Sequence, residues 1–175
     1  MPKKQELKPS PRTVLTLCRG KHPPSLQVGA ICFRRAGKGV RIMLITSRDT
    51  GRWVIPKGWP TRKHSEAWAA AREAYEEAGI LGTVSEKSIG FYTYRKGVKG
   101  GLSMPCVVRV YPLEARERLR HYPETGQRRV KWFKRGKAAR KVRDPELARI
   151  LREFDPDRRG KPPRMPKFIV HGSVA

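Results

Sequence analysis

The stretch from Ala67 to Ile80, reading Ala-Trp-Ala-Ala-Ala-Arg-Glu-Ala-Tyr-Glu-Glu-Ala-Gly-Ile, constrains this chain more than any other. Alanine, glutamate and arginine lose little side-chain freedom in a helix, so the run is helical by propensity. Ser65 is placed to cap its start, and Gly79 stands where a left-handed glycine ends a helix. Ala67, Ala70, Ala71, Ala74 and Ala78 recur at steps of three and four, which makes one smooth face able to lie close against a sheet.

The other face of this helix carries charge. Glu73, Glu76 and Glu77 fall within one turn, and like charges at that spacing repel by roughly a few tenths of a kcal/mol per pair in water, more where solvent is excluded. Arg72, beside Glu73 and one turn from Glu76, neutralises only part of the cluster. Taken alone, the helix is either an acidic face left in water or a site for a divalent cation. Hard carboxylate oxygens select Mg²⁺, or Mn²⁺, over zinc, and Mg²⁺ keeps waters and substrate phosphates in its shell.

Residues on either side of the cluster bear on that choice. From Gly58 the chain passes five residues to His64 and seven more to Arg72-Glu73, then Ala74, Tyr75, Glu76-Glu77, Ala78, Gly79 and Ile80. This resembles the Nudix box, the signature of a family of Mg²⁺-dependent pyrophosphohydrolases. The box runs glycine, five residues, glutamate, seven residues, Arg-Glu, an apolar residue, any residue, Glu-Glu, any residue, glycine and an apolar residue. Its spacing is matched throughout and one specified residue differs: His64 stands where the family has its first glutamate, with Glu66 two positions later. The resemblance implies that Glu73, Glu76 and Glu77 are metal ligands, with one of them available as general base on the attacking water. It implies that Arg72 orients these carboxylates and that Gly58 begins a loop whose backbone carbonyl can also meet a metal. Histidine is a poorer partner for Mg²⁺ than a carboxylate, so His64 is expected to be an exposed loop residue.

The segment ahead of the box adds to the likeness. Residues 26–33 and 40–45 read as two apolar strands around the turn Arg35-Ala36-Gly37-Lys38-Gly39, followed by Ser47-Arg48, Arg52-Trp53, a short strand and Pro56-Lys57-Gly58. That order is similar to the entrance of Nudix enzymes acting on diphosphoinositol polyphosphates and diadenosine polyphosphates, in which basic residues of this region touch substrate phosphates. By that likeness Arg48, Lys57 and Arg34 are the expected substrate-binding residues, in that order.

Downstream, residues 84–94 and 102–111 read as antiparallel strands joined by the glycine-rich basic loop 95–101, and 129–133 as a closing strand containing Trp132-Phe133. Phe91, Tyr92, Tyr94 and Tyr111 suit core and cross-strand pairs better than a base-stacking platform. Glu114, Glu117 and Glu124 precede Gln127, in a region from which some Nudix enzymes take a further base or ligand, and the sequence does not separate the three. Helices are expected over 135–142 and from Asp144-Pro145-Glu146, the second with Leu147, Ile150, Leu151 and Phe154 on one face. With the resemblance, this predicts an α/β fold: a Nudix-type α/β/α sandwich with a mixed β-sheet, the box helix on one side and the C-terminal helices on the other.

Charge and composition narrow the partners. Lys+Arg 40 against Asp+Glu 15 gives a formal net charge of +25, so an anionic polyphosphate is the expected small-molecule partner. Residues 1–24 read as a basic flexible arm, 25–155 as the hydrolase domain and 156–175 as a basic, proline-rich tail. The cysteines Cys18, Cys32 and Cys106 are odd in number and lack metal-type spacing, which reads as buried or free thiols in a reducing compartment. With no signal-peptide core and no long apolar run, a soluble cytoplasmic protein without membrane contact is expected.

The expected reaction is Mg²⁺-dependent hydrolysis of a phosphoanhydride bond in a diphosphoinositol polyphosphate or dinucleoside polyphosphate. A bound metal reverses the local sign of the acid cluster, and surrounding lysines and arginines extend the positive field. Two alternatives stand beside it. One is a nucleotide pyrophosphatase acting on ADP-ribose or nucleoside triphosphates. The other is a nucleic-acid-binding module on the same scaffold, held through the basic arms with an affinity that falls steeply with salt.

Overall fold

The box helix forms where its capping residues place it. In the computed structural model, which describes residues 24–97 and 102–158, helix α1 (Glu66–Ala78) begins at Ser65, whose hydroxyl accepts the Trp68 amide at 3.2 Å. It ends at Gly79, whose φ of 69° lies in the left-handed region that a side chain would strain.

Eight strands make one sheet: β1 (Ser25–Ala36), β2 (Gly39–Thr46), β3 (Trp53–Val54), β4 (Lys57–Gly58), β5 (Ile80–Val84), β6 (Gly90–Gly97), β7 (Ser103–Arg118) and β8 (Val130–Lys134). Central β1 is antiparallel to β2 and β4 and parallel to β7. Outward from there, β2 carries β3 and β8, and β7 carries β5 and β6, all antiparallel. The sheet is therefore mixed.

Period-two alternation sorts the side chains of β1 between two cores. Val28, Ala30 and Cys32 join Met43, Ile45 and Tyr111 beneath the alanine face of α1. Ile31 and Phe33 join Ile42, Leu44, Val108 and Val110 on the other side, where α2 (Arg135–Lys141) and α3 (Pro145–Glu153) lay down Ala138, Ala139, Leu147, Ile150 and Leu151. Phe154 closes that core by meeting Phe33 edge-on, with ring centroids 5.0 Å apart. A strand buried on both faces has no polar side to show, which is why residues 28–33 read as an unbroken apolar run. The three layers are those expected of an α/β/α sandwich.

Several boundaries differ from the sequence-based expectation. Residues 80–84 form strand β5, with a register shift against β7 between Leu81 and Gly82; only Ile80 of this strand is buried, so no alternation marks it. What read as one strand over 84–94 is divided, since β5 ends at Val84 and β6 starts at Gly90. Strand β7 continues past Tyr111 to Arg118 because its far end pairs with β5 while its side chains meet solvent, so charged residues are tolerated there. Asp144 occupies the N-cap position of α3, but its side chain makes no capping bond.

Phe91, Tyr92, Tyr94 and Tyr111 are all buried, as core residues are. Cys32 and Cys106 are buried free thiols, while Cys18 lies outside the described residues. So do the N-terminal arm up to residue 23, most of the C-terminal tail, and residues 98–101 of the basic loop. No described helix is long and apolar enough to cross a membrane.

Candidate active site

Helix α1 turns two of its three clustered carboxylates inward. Glu73 and Glu77 are buried, while the Glu76 side chain is 40% exposed. The Glu73 carboxylate lies so close to Gly58 of β4 that any Cβ there would displace it. Arg72 Nη2 donates to Glu73 Oε1 at 2.7 Å and to the Trp59 carbonyl at 3.3 Å, and its Nε stands 3.6 Å from Glu76 Oε1. The Lys57 amide donates to Glu77 Oε2 at 2.9 Å, and the Arg128 guanidinium binds Oε1 of the same carboxylate.

Burial raises the pKa of Glu73, opposed by Arg72. It pushes Glu77 up to about 7 in spite of Arg128 and the Lys57 amide. Two carboxylates held above their ordinary range by desolvation are not fully compensated by their fixed cations. That shortfall, together with the all-oxygen donor set, suits a hard divalent ion, and Glu73, Glu76, Glu77 and the Gly58 carbonyl are the groups that would hold it. As they stand, no three acidic, histidine or cysteine side chains among the described residues converge on one point. Arg72 and Arg128 each engage a different carboxylate.

Arg128 was not legible in the sequence, being one of 40 lysines and arginines in an irregular segment. Its side chain is 7% exposed and sits among acceptors: Nε donates to Glu124 Oε2 at 2.8 Å, Nη1 to the Thr46 carbonyl at 3.1 Å, and Nη2 to Glu77. Of the three glutamates left open, Glu124 is the one the fold delivers here. Its amide donates to the Glu76 carbonyl at 3.0 Å, and Arg48 Nη1 stands 3.4 Å from its Oε1. Glu114 instead pairs with Arg35 at 3.2 Å, and Glu117 lies exposed opposite Leu81.

Two of the three expected phosphate contacts gather at this centre. Arg48 reaches Glu124 and Gln127. Lys57 places Nζ 5.0 Å over the Tyr94 ring, and burial lowers its pKa while Glu77 opposes the shift. Arg34 does not join them: it stands opposite Arg41, with its guanidinium 4.6 Å over the Trp132 ring. Val28 pairs with Gly58, so the run of β1 from Val28 to Arg34 sets them apart by about 20 Å at strand rise. His64 is exposed and stacks on Trp68 at 3.8 Å, while Glu66 binds Arg109 and Tyr111 of β7, so neither faces the cluster.

Comparison with known proteins bears on the family and the fold. Residues 23–154 match the NUDIX domain family. The chain is 30% identical over 121 residues to Nudix hydrolase 16, mitochondrial, of Arabidopsis thaliana, covering 67% of each chain. It is 28% identical over 110 residues to human diphosphoinositol polyphosphate phosphohydrolase 3-alpha, covering 62% of this chain and 63% of that protein, somewhat under two thirds of its length. A C. elegans Ap4A hydrolase shares the fold with a TM-score of 0.54 at 23% identity, covering 73% of this chain and 93% of that one.

The chain belongs to the Nudix family. Within that family it stands with the hydrolases, as a pyrophosphohydrolase acting on acid anhydrides of phosphorylated small molecules.

Proposed function

We propose that this protein hydrolyses a phosphoanhydride bond in a highly phosphorylated substrate, a diphosphoinositol polyphosphate or a dinucleoside polyphosphate, with Mg²⁺ as its ion and Mn²⁺ able to substitute. The observation that carries this reading is the buried pair Glu73 and Glu77, each held by its own arginine and bordered by Lys57 and Arg48. The name of the human relative and the net charge of +25 favour a substrate with many phosphates.

When bound at Glu73, Glu76, Glu77 and the Gly58 carbonyl, the ion supplies charge neutralisation and an acidified water. The chain supplies the rest. Arg72 fixes Glu73, and Arg128 with the Lys57 amide fixes Glu77, so little reorganisation is needed during reaction. Glu124 holds Arg128 against Glu77 and orients Arg48, the exposed cation placed to meet phosphate oxygens. Residues 25–155 form the catalytic domain in this reading, with basic arms on either side that add to the field. Its location is the cytoplasm, away from membranes, which fractionation of cells carrying the tagged full chain checks.

A substrate panel assayed with Mg²⁺ tests the activity. Release of phosphate or nucleotide from diphosphoinositol and dinucleoside polyphosphates is expected. A strong preference for ADP-ribose or nucleoside triphosphates would replace the substrate assignment. Hydrolysis that survives in a folded Glu76→Gln, Glu77→Gln variant would remove the proposed centre altogether.

A further inference from the structure

Three cations that hydrolysis does not use stand in register across the sheet. Arg34 of β1 is opposite Arg41 of β2, and Arg41 is opposite Lys134 of β8. Residues directly opposed on antiparallel strands project from the same face with Cβ atoms about 5 Å apart, and like charges so placed destabilise the pairing. Among the described residues no carboxylate forms an ion pair with any of the three. Within the described residues the repulsion is eased at Arg34, whose guanidinium lies over the Trp132 ring, and by no carboxylate.

The surroundings extend this charge. A concavity of about 680 Å³ opens at the same end of the sheet, lined by Lys38, Arg41, Lys134 and Arg135 together with Asp155 and Asp157. Arg35 already binds Asp157 through two hydrogen bonds of 3.0 and 2.8 Å, so that carboxylate is taken. Along α2, Lys137, Arg140 and Lys141 are exposed as well, but α2 packs on the Phe33 and Ile42 side of the sheet, the face opposite the row. The carboxylate centre lies at the opposite end of β2, where Arg128 holds the Thr46 carbonyl; at strand rise, Arg41 and Thr46 are about 17 Å apart.

We propose that the row of Arg34, Arg41 and Lys134 docks the phosphodiester backbone of a nucleic acid at a place separate from the hydrolytic centre. Two interstrand spacings make the row about 10 Å long. A strand of nucleic acid carrying one charge per about 3.4 Å sets several phosphates along that length, and each contact releases counterions while relieving the cation–cation repulsion. At the β1–β2 tip, Gly37 and Gly39 have open space where a Cβ would stand, so backbone as well as side chains can approach a strand. An anionic membrane fits less well. Among the described residues, the exposed large apolar side chains are Trp59, Trp68, Leu81 and Leu102, and none of them belongs to the row or to the concavity. This docking does not depend on which anhydride the enzyme cuts.

The test uses the full chain and a short, labelled, mixed-sequence single-stranded RNA, with anisotropy recorded over a salt series. Arg41→Gln with Lys134→Gln should lower the slope of log affinity against log salt by about 1.4, at 0.7 per lost phosphate contact on a single strand, and weaken binding by on the order of tenfold at low salt. The charge-conserving pair Arg41→Lys with Lys134→Arg should keep both values near those of the parent. Thermal melting establishes that each variant is folded, and pyrophosphate hydrolysis should be unchanged in both. An unchanged slope and affinity in the glutamine pair overturns the proposal. A parallel loss of hydrolysis would overturn the separation of the two sites. Binding by the parent to phosphatidylserine vesicles under salt conditions where RNA is not held would transfer the surface to membranes and overturn it equally.

Discussion

Arg128 holds the charge of Glu77 and fixes Glu124, and both effects come from a guanidinium almost out of solvent. Arg128→Gln should therefore leave Glu77 as a buried, unpaired acid and cost about 3–5 kcal/mol in urea denaturation, with part of the loss recovered when Mg²⁺ is added. Glu77 also gives the site a pH dependence. Its pKa rises from an ordinary 4.5 to about 7, so the folded chain retains a proton that the unfolded chain gives up across that interval. In chelator-treated protein this contribution to stability, roughly 3 kcal/mol, is fully present below the lower value and is lost as pH climbs through the upper one. Metal must displace the same proton. Calorimetric Mg²⁺ affinity should thus weaken roughly tenfold per unit below pH 7, with proton release seen as a buffer-dependent enthalpy.

Between elements, the contact that matters most to chemistry is α1 against β4. Gly58→Ala would drive a methyl group into the Glu73 carboxylate, and a displacement of that size should reduce turnover by about a hundredfold while the far core melts as before. Leu151→Ala in α3 should do the reverse. Its fully buried side chain packs on the face away from the carboxylates, so about 2–5 kcal/mol of stability is lost while hydrolysis per folded molecule holds constant. Elements were legible where their own periodicity was strong: α1 from its alanines and caps, β1 and β2 from apolar runs. Strand β5 was hidden because four of its five residues are exposed or half-buried, and the end of β7 because its charged side chains look like a loop until β5 lies beside them.

Over the whole molecule, a charge of +25 around a compact acidic centre should steer polyanions inward. The measurement is kcat/KM for a polyphosphate substrate against ionic strength. A fall of about tenfold between low and high salt is expected, and a flat profile would show that the field does not guide the substrate. The order of residues alone determined the box helix and its cluster of glutamates, because caps, periodicity and motif spacing are local properties, whereas the mixed sheet and the helical layers on its two faces came from the resemblance to the Nudix family. Only the tertiary structure decided that Glu124 rather than Glu114 or Glu117 reaches the centre, that Arg128 closes it, and that Arg34 belongs to a different cationic row. Those choices depend on strand pairing and on which end of a strand a side chain occupies. In a chain with 40 basic residues, no local signal distinguishes an arginine beside the carboxylates from one at the far end of the sheet.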